Sequence, residues 1–308
     1  KEKIRLGASR DYAASRGEYI NGLILSHYLG YEFVDAAELI LFDKNGKFDA
    51  KNTYEKVRSR LANVSCAVIP GFYGVMPDGE IKTFSRGGSD ITGSIIARGV
   101  GAQLYENWTD VSGFLMADPK IVKNPRPIEK VTYKELRELS YMGASVLHEE
   151  AIFPTKEAGI PIVIKNTNAP DDVGTMILSD ISPVEHTGTI TGIAGKKDFT
   201  VISIEKTFMS SDKSFFRKLM TIMETNDISV EHMPSSIDSI SLIVPASQLN
   251  SKLDKVVEEI RIYCEPDSII CHPDMALVAV VGRGMINTKG IAARIFTALA
   301  KNGVNIRM

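Results

Sequence analysis

The sequence predicts an α/β fold, in which a three-layer domain with a mostly parallel sheet is followed by ferredoxin-like βαββαβ units. Amphipathic helical segments alternate with short apolar strands as far as residue 164. Between residues 180 and 197 the composition shifts to Ser, Thr, Gly and Pro without a helical period. Beyond this stretch a strand–helix–strand pattern recurs and pairs Lys213 with Lys289 and Leu219 with Ile295. Such self-similarity indicates duplicated units.

The first helix is expected over residues 15–29, where Ile20, Leu23, Ile24 and Tyr28 recur at helical spacing and predict a core-facing stripe. Apolar runs and amphipathic runs then alternate along the chain. They predict strands at 33–36, 66–70, 102–108 and 160–164, and helices at 52–62, 91–99 and 133–142. This alternation favours a buried sheet whose strands are mostly parallel.

The C-terminal part is expected to contain two copies of one unit. The first copy predicts strands at 199–204, 228–232 and 239–244 with helices at 214–224 and 248–260, and the second predicts strands at 275–281 and 304–308 around a helix at 290–300. The predicted domains are residues 1–180, a connection at 181–197, a first unit at 198–270 and a truncated second unit at 271–308. Because Lys1 is not an initiator methionine and the last strand stops without a partner, we expect a fragment of a longer chain.

Composition excludes several classes of protein. The 308 residues carry a net charge of −2, without the basic excess that a nucleic-acid binder needs. No apolar stretch reaches the roughly 18–20 residues that span a bilayer, so neither a membrane nor a nucleic acid is an expected partner. Three scattered cysteines favour a reducing, cytoplasmic location. Cys264, Cys271 and His272 fit no common zinc spacing, so we predict no metal site there.

A glycine-rich segment, Ser85-Arg86-Gly87-Gly88-Ser89-Asp90, enters a predicted helix. Glycines permit close backbone approach, free amides at a helix N-terminus attract anions, and Arg86 offers a bidentate contact to a carboxylate. The alternative is structural, with Ser89 or Asp90 as an ordinary helix N-cap. Local sequence leaves these two interpretations open.

Three further segments carry polar side chains. Thr109 and Asp110 follow a strand at the edge where open α/β sheets bind ligands, although a simple turn is the alternative. Lys120 is either a phosphate contact or a solvated lysine. Ser15 and Glu18 have the spacing of a capping box, and Glu18 could instead receive a substrate ammonium.

Taken together and in order, six segments resemble those of aspartate kinases, and the duplicated tail resembles the paired ACT domains of the same enzymes. The six segments are Ser15-Arg16-Gly17-Glu18, Gly71-Phe72-Tyr73-Gly74, 85–90, 108–113, Asp118-Pro119-Lys120 and 143–148. The resemblance implies an amino-acid-kinase fold and transfer of the γ-phosphoryl group of ATP to the side-chain carboxylate of L-aspartate. ATP and Mg²⁺ are the implied cofactors.

The resemblance also implies roles for individual residues. Glu18, Arg86 and Phe72 would bind aspartate, with Glu18 at its ammonium group and Arg86 at a carboxylate. Ser89 and Asp90 would lie beside the reacting carboxylate. The nucleotide would contact a third set, which comprises Thr109, Asp110 and Lys120.

This sequence departs from the family in two places. The family segment that supplies the catalytic lysine would precede Lys1, so the chain alone is expected to be inactive. Ser145 stands where many members have a lysine, and Glu149 and Glu150 follow it. The nucleotide contact of that lysine is therefore not expected in this form.

The ACT resemblance implies feedback regulation by an end-product amino acid in a homodimer or larger assembly. Its expected effector contacts are Met209, Asp212, Ser229, Val230, Glu231 and Ser236. Lysine is preferred over threonine, because two acids suit a second positive charge. A solvated strand end beside a capped helix is the structural alternative. For the whole protein, the alternatives are a non-catalytic amino-acid sensor and another amino-acid kinase, such as one acting on glutamate.

Overall fold

The structure is a computed structural model that describes residues 7–85, 87–142, 149–179 and 188–307. Within these ranges no helix is both long and apolar enough to cross a membrane. The chain divides into two compact units, the first comprising 1–193 and 280–287, and the second 194–279 and 288–308. The four segments expected from the sequence, with the three boundaries between them, remain a prediction.

The expected helices and strands of the first unit occur in the expected order, but its described residues contain two more helices and four more strands than predicted. Its helices are α1 Arg10–Leu29, α2 Ala36–Leu39, α3 Ala50–Leu61, α4 Gly88–Val100, α5 Tyr133–Tyr141 and α6 Phe153–Ala158. Its strands are β1 Glu32–Phe33, β2 Ala67–Val68, β3 Tyr73–Val75, β4 Ile81–Thr83, β5 Tyr105–Thr109, β6 Lys130–Thr132, β7 Ile162–Asn166 and β8 Thr175–Leu178. The strand expected at 33–36 ends at Phe33, because Ala36 already begins a helix capped by Asp35.

Parallel pairing dominates the first unit. Strands β1 and β2 pair in parallel, and the four-stranded sheet has the order β5-β7-β8-β6, with β5 parallel to β7 and β6 parallel to β8. Antiparallel pairing is found between β7 and β8 and in the β3–β4 hairpin. The predicted α/β fold class is thus confirmed, and parallel β5 and β7 bring their carboxyl ends to one edge.

Helix α1 packs through its small residues and not through its apolar stripe. Ser15, Gly22 and Ser26 are buried, and Gly22 lies against Phe33 and Pro70. Ile20 and Tyr28, by contrast, are 54% and 83% exposed. The prediction that the stripe of Ile20, Leu23, Ile24 and Tyr28 faces the core is wrong, because the small face permits the closer approach to β1 and β2.

The second unit is built on a three-stranded sheet of order β10-β9-β11. Its elements are β9 Gly192–Glu205, α7 Phe215–Thr225, β10 Ser239–Pro245, α8 Ala246–Leu249, α9 Leu253–Cys264, β11 Ser268–Val281 and α10 Ile291–Lys301. Phe215, Leu219, Val256 and Ile260 from α7 and α9 belong to one buried cluster with strand residues such as Leu242. This pattern is that of the expected ferredoxin-like unit.

Two predicted strands and one helix of the second unit differ in the structure. The strand expected at 228–232 is reduced to a single bridge between His232 and Ile243, and Pro234, which has no amide hydrogen, follows it. Residues 304–307 form no strand. The helix expected at 248–260 is divided by a 3₁₀ turn, Asn250–Lys252, so that α9 begins only at Leu253.

Candidate active site and regulatory contacts

The turn after β2 packs directly on the start of α4. The Phe72 amide donates to the Thr92 hydroxyl at 3.0 Å, and that hydroxyl donates to the Gly88 carbonyl at 2.7 Å. Phe72 adopts a positive φ of 62°, which is uncommon for a residue with a side chain. A methyl group on Gly88 would lie 2.4 Å from the Phe72 Cβ, so glycine is required for this approach. The contact brings Phe72 and Ser89, two predicted site residues, to the same place.

Helix α4 begins without a side-chain cap. Its N-cap is Gly87 at φ 56°, so Ser89 and Asp90 lie inside the first turn, and the expectation that either caps the helix is wrong. The first intrahelical hydrogen bond runs from the Ile91 amide to the Gly87 carbonyl, which leaves the Gly88, Ser89 and Asp90 amides without an intrahelical acceptor. Such a turn suits an anion. Arg86 lies outside the described residues.

The Asp90 carboxylate is held by one face of β5. The Asn107 Nδ2 group donates to Asp90 Oδ1 at 2.9 Å and to the Tyr105 hydroxyl at 3.0 Å, and that hydroxyl donates to the Asp90 carbonyl at 3.2 Å. Burial raises the pKa of Tyr105 to about 12, so it remains a neutral hydroxyl. Asp90 is therefore oriented by neutral donors, and no described cation forms an ion pair with it.

Thr109 and Asp110 end β5 and are fixed by the end of β7. The Thr109 carbonyl accepts from both the amide and the hydroxyl of Thr167, at 2.8 and 2.9 Å. The Thr109 hydroxyl donates to Asp110 Oδ1 at 3.2 Å. Two residues further on, the Ser112 hydroxyl accepts from the Asn166 amide at 2.9 Å. These bonds hold both predicted nucleotide residues at the carboxyl edge of the sheet, where such folds bind ligands.

Glu18 lies in the middle of α1. The helix begins at Arg10 and is capped by Ser9, so the expected capping box of Ser15 and Glu18 is wrong. The Ser15 hydroxyl instead donates to the Tyr12 carbonyl at 2.8 Å. The Glu18 carboxylate makes no hydrogen bond or ion pair with any described residue, and Glu18 precedes by one turn Gly22, which contacts Pro70. Its carboxylate is thus available for a cationic ligand group.

Lys120 is separate from the other nucleotide residues in the described contacts. Its backbone amide donates to Asp118 Oδ1 at 2.8 Å in an ordinary Asx turn, so this amide is not free to bind a ligand. Its side chain is exposed, and no described contact joins it to Thr109 or Asp110. The segment 143–148, which includes Ser145, lies outside the described residues.

Among the predicted effector contacts, Asp212 is held at the carboxyl end of β9. Met209 is buried in a 3₁₀ turn, and Asp212 Oδ1 accepts from the amide and hydroxyl of Ser214. Those two hydrogen bonds, aided by nearby lysines, hold the pKa of the Asp212 carboxyl below its usual value. Lys206 Nζ lies 3.7 Å from Asp212 Oδ2.

Glu231 lies at a different level of the same sheet. Its amide donates to the carbonyl of Ile243, which pairs with Val201 on β9, and its carboxylate lies 3.8 Å from Lys196 Nζ. Val201 and Lys206 are separated by about 17 Å of extended chain. The structure therefore does not bring Glu231 and Asp212 together within one chain.

The other predicted effector residues divide between these two levels. The Ser229 amide donates to Gln248 Oε1 at 2.7 Å, and Val230 packs against the buried cluster that contains Leu219 and Leu242. Both residues precede Glu231 in the chain by one or two positions. The Ser236 amide bonds the Ser239 carbonyl, and Ser239 pairs with Glu205 at the Asp212 end of β9.

Sequence reasoning missed Asn107, Tyr105 and Thr167 as supports of the site. A signal for the first two was present, because residues 105, 107 and 109 alternate along a strand and so share one face. On the opposite face the Trp108 indole nitrogen donates to Glu106 Oε2 at 3.1 Å, and Lys165 Nζ lies 5.8 Å from the Trp108 ring centroid. No comparable signal marks Thr167, whose contact depends on the β5–β7 pairing.

Two family models match the chain. The model for the amino acid kinase family covers residues 1–166, and the model for the ACT domain covers residues 278–308. Aspartokinase 3 of Bacillus subtilis is 37% identical over 307 residues, covering 97% of this chain and 67% of that protein. Aspartokinase of Geobacillus stearothermophilus is 30% identical over 310 residues, covering 97% and 74%. The chain thus spans about two thirds to three quarters of these relatives.

Solved structures that resemble this chain include two aspartate kinases. The aspartate kinase of Clostridium acetobutylicum, described as an allosteric enzyme, is 62% identical with a TM-score of 0.90, covering all of this chain and 70% of that one. Aspartokinase III of E. coli in complex with aspartate and ADP is 23% identical with a TM-score of 0.68, covering 97% and 68%. At that identity the second likeness concerns the fold alone.

Proposed function

The chain belongs to the amino acid kinase family, within its aspartokinase group, and on that premise we propose that the protein phosphorylates the side-chain carboxylate of L-aspartate with ATP in the cytoplasm. Enzyme class and family thus agree with the expectation from the sequence. The observation that carries the proposal is the assembly of Phe72, Ser89 and Asp90 at the open first turn of α4.

Aspartate is proposed to lie between α1 and this turn. Glu18, which has no described partner, receives its ammonium group, and Arg86 receives a carboxylate through a planar fork. Phe72 forms the wall beside Ser89. The side-chain carboxylate then lies near the amides of the first turn of α4, which favour negative charge.

ATP is proposed to occupy the carboxyl edge of β5 and β7, with Thr109 and Asp110 contacting the nucleoside and Lys120 the phosphates. In the reaction an oxygen of the aspartate side chain forms a bond to the γ-phosphorus, and the bond from that phosphorus to the β–γ bridging oxygen breaks. The products are 4-phospho-L-aspartate and ADP, and no proton needs to be removed from the ionised carboxylate. Mg²⁺ would neutralise the phosphate charge, with Asp90 organising the cations there.

A hydroxamate assay tests this reaction directly, because hydroxylamine traps the acyl phosphate. The complete protein with ATP and Mg²⁺ is expected to form the hydroxamate from aspartate and not from glutamate. Glutamate as the better substrate would replace the proposal with another amino-acid kinase. No product from either substrate would favour the non-catalytic sensor.

Regulation by lysine is proposed for the second unit. Aspartokinase III of E. coli has been solved in complex with lysine and aspartate in a T-state. In the present chain Ser229, Val230 and Glu231 lie at one level of the sheet, whereas Met209, Asp212 and Ser236 belong to the other. A single lysine therefore contacts both sets only if two copies of the chain contribute one set each, which is consistent with the proposed homodimer.

Inhibition of the complete protein tests the effector. Lysine is expected to inhibit, threonine is not, and Glu231→Ala is expected to weaken inhibition. Glu258→Ala, which removes an exposed acid of α9, is the matched control. Inhibition by threonine alone would overturn the choice of effector, and unchanged lysine inhibition in Glu231→Ala would overturn the site.

A further inference from the structure

Asp90 has one described partner for its carboxylate, and that partner is a neutral amide. Asn107 Nδ2 donates to Oδ1 at 2.9 Å, whereas Oδ2 accepts from no described residue. A carboxylate that lies in the first turn of a helix and uses one oxygen for the protein has the other oxygen for a ligand. What fixes the first oxygen therefore fixes the direction of the second.

Asn107 can face Asp90 in only one orientation. The residue is 6% exposed, and both hydrogens of Nδ2 are used, one by Asp90 Oδ1 and one by the Tyr105 hydroxyl at 3.0 Å. Turning the amide would place its carbonyl oxygen against a carboxylate and remove two hydrogen bonds. The charge on Asp90 and the hydroxyl of Tyr105 together determine the orientation.

The Tyr105 hydroxyl contacts both Asp90 and Asn107. It donates to the Asp90 carbonyl at 3.2 Å while accepting from Asn107, so backbone and side chain of Asp90 are bound to the same pair of residues. Gly93 makes room for the ring, since a methyl group there would lie 2.5 Å from the Tyr105 oxygen. Three residues from β5 and α4 thus serve the geometry of one carboxylate.

We propose that Asn107 is a positioning residue for phosphoryl transfer, which directs Asp90 Oδ2 into the site through its bond to Oδ1, and that Tyr105 holds Asn107 in place. This inference rests on the proposed function, because it assumes that Asp90 acts at the transferred group. Asn107 itself touches neither substrate nor nucleotide.

Two substitutions of similar size separate positioning from packing. Asn107→Leu removes the donor and is expected to lower kcat about tenfold, with the KM values for ATP and aspartate within about twofold. Asn107→Asp keeps the shape but sets a second negative charge against Asp90, so its kcat is expected to fall further. A space-filling role predicts the reverse order, since Asp is the closer match to Asn, and that order would overturn the proposal.

The regulatory unit supplies a matched control. Asn226 is also buried and donates through Nδ2 to a carboxylate, Glu259 Oε2, at 2.7 Å. Asn226→Asp makes the same chemical change away from the candidate active site and is expected to keep kcat. A loss equal to that of Asn107→Asp would show a general cost of the substitution and contradict the proposed role.

A double-mutant cycle distinguishes this inference from the proposed function. If Asn107 acts through Asp90, then Asn107→Leu lowers kcat no further in an Asp90→Ala background. Equal losses in both backgrounds would overturn the inference, while an active Asp90→Ala single variant would overturn the role of Asp90 instead. The same cycle can be measured without activity, as the urea concentration at the midpoint of unfolding. The decreases caused by Asn107→Leu and Asp90→Ala are expected to be non-additive in the double variant. Additive decreases would show that the hydrogen bond does not hold Asp90.

Discussion

The acids of the candidate active site and the acids among the predicted effector contacts have different partners. In the first unit Asp90 accepts a hydrogen bond from an amide and Glu18 has no described partner, so neither forms an ion pair with a described lysine or arginine. In the second unit Asp212 pairs with Lys206 and Glu231 pairs with Lys196. The first pair of acids is open to cations brought by ligands, whereas the second pair already has cations from its own chain.

This difference predicts how strongly substitutions at the proposed active site and at the proposed effector contacts will affect function. A metal ion or ammonium group that reaches Asp90 or Glu18 displaces no cation of the described residues, because neither carboxylate forms an ion pair with them. An effector ammonium in the second unit must displace Lys206 or Lys196 from its acid, so the ion pair that is lost offsets part of the gain. We therefore expect large effects from substitutions in the active site and small ones from substitutions in the regulatory contacts.

The largest effect is expected from Asp90→Ala in the complete protein. Turnover should fall about 100-fold or more, since one electrostatic contributor to the transition state is lost. The free energy of unfolding should fall only by the cost of the lost Asn107 hydrogen bond, about 1–3 kcal/mol, because Asp90 fills no core. Asp78→Ala, in the β3–β4 turn, is the control acid, and near-normal turnover of the Asp90 variant would remove Asp90 from the site.

Glu135→Gln is expected to lower stability. It tests whether an acid whose oxygens accept several hydrogen bonds, unlike Asp90 and Glu18, serves the fold. Glu135 is buried and accepts from Thr132, from the Thr191 hydroxyl at 2.6 Å and from the Arg283 amide at 3.1 Å. A glutamine amide cannot accept from all of these donors, so unfolding by urea should show a loss of about 1–3 kcal/mol. An unchanged midpoint would show that these bonds do not stabilise the fold.

The pKa of Glu135 also indicates how the stability of the fold should depend on pH. Burial alone would raise the pKa of Glu135, but the hydrogen bonds from Thr191, Thr132 and Arg283 lower it below the ordinary value. A carboxyl with a lowered folded-state pKa stabilises the fold above its unfolded pKa, about 4.3, and loses that contribution as pH falls through the folded value. Urea midpoints from pH 7 to pH 3 should fall less steeply in Glu135→Gln than in the unsubstituted chain, and parallel curves would contradict this.

A smaller effect is expected from Arg86→Lys. An ammonium group cannot reproduce a planar fork on a carboxylate, so the KM for aspartate should rise roughly tenfold, equivalent to about 1.4 kcal/mol. The KM for ATP should stay near its original value. Initial rates at varied aspartate decide this, and an unchanged aspartate KM would remove Arg86 from the substrate contacts.

The smallest effect is expected from Lys196→Ala. Removal of the lysine that pairs with Glu231 should let a lysine effector inhibit at a concentration up to about fivefold lower, in line with the weak energy of a half-exposed pair. Lys197→Ala, which changes the next residue along β9, serves as the control. Equal inhibition curves for the two variants would show that the Lys196–Glu231 pair does not compete with the effector.

Although the strand expected at 228–232 is not formed as such and residues 304–307 form none, the order of the main helices and strands could be predicted from periodicity. The buried face of α1 could not, since periodicity detects the large apolar residues Ile20, Ile24 and Tyr28, whereas close packing selects Ser15, Gly22 and Ser26. The site was predictable to the extent that its residues follow one another along the chain. Contacts such as Thr109 with Thr167 depend on strand pairing and leave no local signal.

The separation of Asp212 and Glu231 could not be predicted for a similar reason. Both residues flank elements of one unit, and only the register of β9 with β10 shows that they lie at different levels. The resemblance named the residues but carried no information on the distance between them in the fold.

The most direct test of the contrast between the units uses Trp108, the single tryptophan, which is 45% exposed and precedes Thr109 and Asp110. Its fluorescence should change saturably when ATP with Mg²⁺ is added to the complete protein. Asp110→Ala should weaken the apparent affinity, and Asp212→Ala should leave it unchanged. Saturable ATP binding by equilibrium dialysis without a change in Trp108 emission, or equal weakening by both substitutions, would contradict a nucleotide site at the carboxyl end of β5.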